Sequence, residues 1–401
     1  MVNKRFIMLR LLLTLLIVAG YLGILVKLEY LQQLRWVDNL IGAMPVVLLT
    51  GIGFFLVLLV WTLRRKVQSA TIVLAILTVL WGLLLIPAIT GNWFPGSRIP
   101  ESGSASPDLS KYEPFLVDTK VAKLRQSASL SLDADLPRLD GALALYPLYG
   151  AFVQAVYDEE AFSEEVIACS NTPQAYEAII SGERDIIFVA GPSDTQLAEA
   201  EKAGVELVFT EIGKEAFVFL VGDTNPIDGL TQQQLRNIYS GKSAKWRTLG
   251  WQEGGKMIVY QRPEGSGSQT GLQAMMGELP IQKPQPLPDD QLFGTGSMMK
   301  QVSVKWQGVQ PAIGYSYRYF AETMYPNDQA KLLAIDGVYP SNETIAAGEY
   351  PFASGFYAVT RGEPAGNVKR LIDWILSEEG QYLVEETGYV PVNPTSTDEI
   401  E

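Results

Sequence analysis

Residues 257–277 read MIVYQRPEGSGSQTGLQAMMG. The apolar run MIVYQR, Met257 to Arg262, has strand character, and GSQTGLQAMMG has helical character. RPEGSGS, Arg262 to Ser268, lies between them. Two glycines let this backbone turn tightly and approach a ligand. Ser266, Gly267 and Ser268 fall at the helix start, where N–H groups lack intrahelical partners and the dipole is positive, which suits an anion. Arg262 adds a planar fork matched to a tetrahedral oxyanion. Taken alone, the loop also reads as a Gly/Ser helix cap with Arg262 on the surface. It is not a Walker A loop, because the Gly-Lys-Ser/Thr ending is missing.

The flanking chain alternates between the two periods. Upstream, Leu143 to Tyr157 starts as a short strand and turns into a helix through Tyr146-Pro147. QAYEAIISG after Thr172-Pro173 is a helix stopped by Gly182, and DIIFVAG, Asp185 to Gly191, is an apolar strand. SDTQLAEAEKAG is a third helix, and VELVFTEIG and AFVFLVG read as two further strands. Downstream come the helix LTQQQLRNIYSG, the strand AIGYSYRYF, the strand GFYAVT and one long amphipathic helix, AGNVKRLIDWILSEEGQYLVEETG. Strands alternating with helices of this length indicate α/β units and a largely parallel sheet. Thr172 is a suitable N-cap, with its hydroxyl near free N–H groups. It and the strand-to-helix turn at Ala144-Leu145-Tyr146 offer two more helix starts, each equally readable as ordinary capping and packing.

Five segments in order, DGALALYPLYGAF, SNTPQAYEAI, DGLTQQQLRNIYSGKSAKW, RPEGSGS and PAIGYSY, resemble the phosphate-binding proteins of ABC phosphate transporters, over about residues 139–393. The resemblance implies a type II periplasmic-binding-protein-like clamp: two α/β lobes with mixed sheets that close over an oxyanion. It implies ligand roles for Arg262, Ser266, Gly267 and Ser268, and for Thr172 from the first lobe. Ala144 and Leu145 match the family's Thr-Phe turn, so a hydroxyl is lost while the backbone N–H groups remain. Glu264 matches an acid that pairs with the arginine. Val189 stands near where the family carries an aspartate that accepts the phosphate's proton, so selection of phosphate over sulfate is open. The implied division is lobe 1 from 139–223 plus 336–401 and lobe 2 from 224–335, with the lobes joined near Val221–Thr224 and after Phe320.

The N-terminus differs in kind. Of the 401 residues, the first 96 carry eight basic and two acidic side chains, a net of +6, and residues 97–401 carry a net of −19. Three apolar runs, residues 7–26, 44–63 and 71–89, each have the length, about 20 residues, that spans a hydrocarbon core. The first also reads as a signal peptide. Lys4, Arg5, Arg10 and the short Arg64-Arg65-Lys66 loop are expected on the cytoplasmic side, which places everything after the third span outside. Residues 1–96 are thus read as a multi-pass anchor in the cell membrane, and 97–138, rich in Gly, Ser and Pro at its start, as linker and lead-in.

Composition removes several chemistries. There is no histidine and one cysteine, Cys169, so His-based catalysis, His-ligated metal sites, intrachain disulfides and zinc ribbons are excluded. No cofactor or metal is expected. The net charge of −13 argues against nucleic acid. An acidic domain repels anions at long range. Salt screens that field over about 8 Å, so a buried site answers to its local donors. The reading is therefore an extracytoplasmic binding protein for phosphate or a similar oxyanion, with an ABC permease as partner, and no enzyme. The alternatives are an oxyanion sensor acting through a membrane partner, and a Ser-dependent hydrolase using Ser266.

Overall fold

The computed structural model describes residues 107–283, 298–299, 302–303 and 311–393. The chain divides into two units, Met1–Ile99 and Pro100–Glu401, and every described residue belongs to the second. The three expected membrane spans lie outside the described residues. Among the described residues no helix is long and apolar enough to cross a membrane.

Strand β1 (Leu139–Gly141) passes through a 3-10 turn, Leu143–Leu145, into α1 (Tyr146–Val156), whose first turn holds Pro147. Proline is tolerated there because that N–H has no intrahelical partner. α2 (Thr172–Ser181) ends on Gly182 at φ 80°, a left-handed stop that glycine adopts without strain. β2 (Ile186–Ala190) and α3 (Asp194–Lys202) follow, α3 opening with a capping box between Ser193 and Gln196. Then come β3 (Leu207–Gly222), β4 (Gly229–Leu230), α4 (Gln232–Tyr239), β5 (Ile258–Val259), α5 (Gly267–Met276) and β6 (Ala312–Tyr317). β7 (Ala330–Leu332), β8 (Ala334–Ile335), α6 (Asn342–Ala346), β9 (Ala353–Arg361), α7 (Gly366–Ile375) and α8 (Glu378–Thr387) complete the order.

The main sheet runs β1-β2-β9-β3-β6-β5, with β7 also on β3. Among the described residues of this sheet only β1·β2 and β5·β6 are parallel; the pairs of β9 and β3 with their neighbours are antiparallel. The sheet is mixed, where local alternation suggested a largely parallel one. β9 and β3 insert from distant sequence, and local pattern carries no record of that.

β3 organises both lobes. VELVFTEIG and AFVFLVG are not two strands but one of 16 residues, with a bulge between Glu211 and Gly213. Its first half pairs with β9 as far as Ala216↔Ala353, and its second half pairs with β6 from Phe217↔Tyr317. The change of partners therefore lies inside the strand at Ala216–Phe217. Lys214 and Glu215 interrupt the apolar pattern there without breaking the strand. Lys214 exchanges backbone bonds of 2.7 and 3.1 Å with Val390, and the buried Glu215 is paired, as described below. The tail also differs from its expectation: it is two helices. The Gly380 position lies so close to the Ile375 carbonyl that a Cβ would stand 2.4 Å from it, and Ser377 sits at the break.

Each lobe has its own aromatic centre. In the first, Tyr149 stacks on Phe188 at 5.1 Å and Phe152 meets Trp374 edge-on at 6.1 Å. In the second, Phe217, Phe219, Tyr239 and Tyr315 pack in tilted and edge-on contacts. The lead-in after residue 107 is laid on the first lobe. Phe115 N–H donates to Gln154 Oε1 at 2.6 Å, its ring meets Phe162 at 4.9 Å, and Ser129 N–H donates to Glu379 at 2.9 Å.

Candidate functional site

All eight residues singled out in the sequence, Ala144, Leu145, Thr172, Arg262, Glu264, Ser266, Gly267 and Ser268, line one cavity of about 350 Å³. They reach it on the N-terminal ends of three helices. Leu145 is the N-cap of α1, Thr172 opens α2, and Ser266 caps α5, whose first residues are Gly267 and Ser268. Each end presents backbone N–H groups and the positive pole of a helix dipole.

Arg262 is held by its backbone. Its N–H points at Tyr315 Oη, 2.7 Å away, and at Gln269 Oε1, 3.2 Å away, while Tyr315 donates to that same Gln269 oxygen. β6 and α5 thereby fix where the guanidinium starts, and the residue is buried. The turn behind it is closed by Ser266, whose N–H and hydroxyl both donate to the Pro263 carbonyl, at 3.2 and 2.9 Å. The same hydroxyl accepts from Gln269 N–H at 3.3 Å. The Ser266 hydroxyl is therefore engaged in shaping the loop, and Ser268 beside it is buried. Gly265 turns the chain at φ 79°, a conformation that disfavours side chains.

Three further positions differ from simple expectation. Thr172 is not the N-cap; Asn171 is, at φ 92°, accepting from Gln174 N–H at 3.3 Å, and Thr172 is the first helical residue, buried in the cavity wall. Asp140 fixes this segment by accepting from Ser170 N–H and Oγ at 2.8 and 2.6 Å. Glu264 lines the cavity with both oxygens accepting from Gln273 Nε2, at 3.0 and 2.9 Å. Val189 is wholly buried against Ala175, Tyr176 and Ile179, and it is Ala190 that faces the cavity.

The lobes already touch at this rim. Gln196 Nε2 of α3 donates to the Gly265 carbonyl at 3.2 Å. A Cβ on Gly267 would lie 3.2 Å from Thr172 Oγ1. The cavity is also lined by residues the sequence reading missed: Glu215, Tyr317, Phe320, Phe356 and Tyr389. They come from β3, β6, the turn after it, β9 and the residue after the C-cap of α8. Glu215 carried one readable signal, a lone acid entering the run AFVFLV.

Glu215 sits where β3 changes partners. Its carboxylate accepts from Ala216 N–H at 2.8 Å and Tyr319 N–H at 3.0 Å, and Arg318 Nε lies 3.5 Å away. Arg318 also donates to the Gly388 carbonyl at 2.7 Å. Burial pushes the Glu215 carboxyl from its ordinary 4.5 up to about 7, with Arg318 opposing and Glu322 adding to the shift. Between those values the folded chain keeps a proton that the unfolded chain has released, so this group lowers stability as pH rises from about 4.5 to about 7. The expected size is on the order of a few kcal/mol. Melting curves of Glu215→Gln should lose that slope; an unchanged slope would place its source elsewhere.

A larger cavity of about 540 Å³ lies in the second lobe, faced by Asp228, Glu322, Asp328 and Lys331. Three carboxylates against one ammonium make it a poor place for an anion.

A family model described as a PBP superfamily domain matches residues 139–379. The chain belongs to this superfamily. The two-lobe α/β clamp with a mixed sheet is the PBP-like architecture, and the matched span contains the whole set of cavity-lining helix starts. Among its curated relatives, the phosphate-binding protein PstS of Bacillus subtilis (strain 168) is 27% identical over 277 residues, covering 68% of this chain and 84% of that protein. The phosphate-binding protein PstS of Borreliella burgdorferi is 23% identical over 260 residues, covering 64% and 86%. Among solved structures, an ABC-type phosphate transport receptor from Vibrio cholerae is 17% identical with a TM-score of 0.46, over 65% of this chain and 100% of that one.

Proposed function

We propose that this PBP superfamily chain binds phosphate or a similar tetrahedral oxyanion outside the cytoplasm and passes it to an ABC permease. The observation that carries the reading is the meeting of three helix N-termini with the buried Arg262 in one cleft between two lobes. The anion is placed against Arg262, the backbone N–H groups of Gly267 and Ser268, the Thr172 hydroxyl and the Ala144-Leu145 turn. Glu264 stands at the edge as an acceptor for a protonated oxyanion. The names of the PstS relatives favour phosphate among the oxyanions. Binding followed by release needs no nucleophile and no cofactor, in keeping with a chain that has no histidine.

Residues 1–96 are proposed to anchor this domain through three spans, with Arg64-Arg65-Lys66 inside and the binding domain outside. A reporter fused after residue 100 should be active only outside the cytoplasm; activity inside would reverse the topology.

Calorimetry of the full chain in detergent tests the ligand. Phosphate should bind with one site per chain and sulfate more weakly. Sulfate binding as well as phosphate would make this a broad oxyanion site, and heat from neither would leave the likeness one of fold.

A further inference from the structure

Gln196 meets two demands from opposite sides. It sits in the first turn of α3, where its Oε1 accepts from Ser193 N–H at 2.9 Å and closes the capping box. Its Nε2 donates to the Gly265 carbonyl at 3.2 Å. Ser193 N–H needs an acceptor and the Gly265 carbonyl needs a donor, so one orientation of the amide serves both. A capping box takes Glu as readily as Gln. The helix alone therefore leaves the choice between them open, and the Gly265 carbonyl is what requires an amide.

The bond lies where it can govern the cleft. Gln196 and Ser193 are each 4% exposed, so water competes poorly for donor and acceptor. Gly265 belongs to RPEGSGS, between Arg262 and the α5 N-terminus to which the anion is assigned. Around the bond, the loop meets the first lobe through glycines. A Cβ on Gly265 would lie 3.6 Å from Pro173 Cγ, and one on Gly267 would lie 3.2 Å from Thr172 Oγ1. Contacts of that kind are non-directional and individually weak. The Gln196–Gly265 bond is directional. Its donor stands on α3 and its acceptor on the loop before α5, so it exists only while the two rims are together.

We propose that Gln196 is the latch of the clamp, a positioning residue whose bond to the Gly265 carbonyl holds the lobes together over the bound anion and sets its rate of release. This rests on the oxyanion reading above and adds the closing device. The anion enters before the bond forms and leaves after it breaks. A bond present only in the closed form favours that form by its own free energy. Losing it speeds release and leaves entry nearly unchanged.

The test follows exchange of radiolabelled inorganic phosphate on the full chain in detergent, as release into excess unlabelled phosphate and as the initial rate of binding. Two variants separate latch from cap. Gln196→Glu keeps an oxygen for Ser193 N–H but turns the donor into an acceptor facing the Gly265 carbonyl. It should release phosphate about 10-fold faster or more. Its melting temperature without phosphate should stay within about 2 °C of the unmodified protein, because the cap is kept and parted lobes relieve the repulsion. Gln196→Met has a similar length and no charge. It should release phosphate about 3- to 10-fold faster, with the initial rate of binding within about twofold, which excludes added charge as the cause. Release from Gln196→Glu within about twofold of the unmodified rate would make Gln196 a helix cap only, overturning the inference and leaving the oxyanion reading standing. Slower binding with unchanged release in Gln196→Met would also overturn it. Failure of the unmodified protein to bind phosphate would remove the oxyanion reading and the latch with it.

Discussion

Arg262→Ala is expected to weaken oxyanion binding by about 100-fold or more and to leave the fold intact. Each charge-assisted hydrogen bond from a guanidinium contributes about 1.5–3 kcal/mol, and about 1.4 kcal/mol is a tenfold change in affinity. The guanidinium is buried, so water screens little of that interaction. The Arg262 backbone N–H bonds to Tyr315 and Gln269, which the variant retains, help the loop keep its shape. Lysine at 262 should restore only part of the loss, since it offers a point charge and not a fork. Titration calorimetry beside a thermal melt separates the two quantities. Affinity unchanged within threefold in a folded Arg262→Ala protein would move the anion away from this arginine.

Gly141→Ala is expected to give a large loss of stability from a single added methyl group. A Cβ there would stand 2.4 Å from the Phe188 carbonyl oxygen and 3.0 Å from Tyr149 Cε1, and the first is a contact with β2 backbone, not with a movable side-chain tip. The same carbonyl accepts from Ala142 N–H at 2.8 Å. Pushing it away loosens both the β1·β2 pairing and the turn that delivers Ala144 and Leu145 to the cavity. Overpacking of this kind costs about 1–3 kcal/mol and sometimes more, and the upper end is expected here. For a domain of this size the melting temperature should fall by roughly 6–12 °C. A melt within about 2 °C of the unmodified protein would show that β1 and β2 can part without cost.

The site was legible where its chemistry is local. RPEGSGS shows its glycines, hydroxyls and arginine within seven consecutive residues, and the strand and helix on either side follow from period alone. Thr172-Pro173 is likewise a local helix start, though the cap itself is Asn171, which needs an unusual φ of 92° that no propensity suggests. The Ala144-Leu145 turn carries no polar side chain and gained meaning only through its resemblance to a known family. The rest of the cavity lining was not legible. Tyr317, Phe356 and Tyr389 read as ordinary core residues. They meet because β3 changes partners at Ala216–Phe217 and draws β6, β9 and the residue after the C-cap of α8 to one place. Lys214-Glu215 looked like a gap between two strands because a pair of charges normally marks solvent. Arg318, two backbone N–H groups and Val390 make that gap a buried crossing instead.

The central claim is that the anion lies where α1, α2 and α5 begin, against Arg262. A crystal structure grown with saturating phosphate tests it most directly. The predicted result is phosphate within hydrogen-bond distance of the Arg262 guanidinium, the Thr172 hydroxyl and the Ser268 backbone N–H. Phosphate bound elsewhere at saturation, such as against Lys331 in the second lobe, with this cleft holding only water, would contradict it.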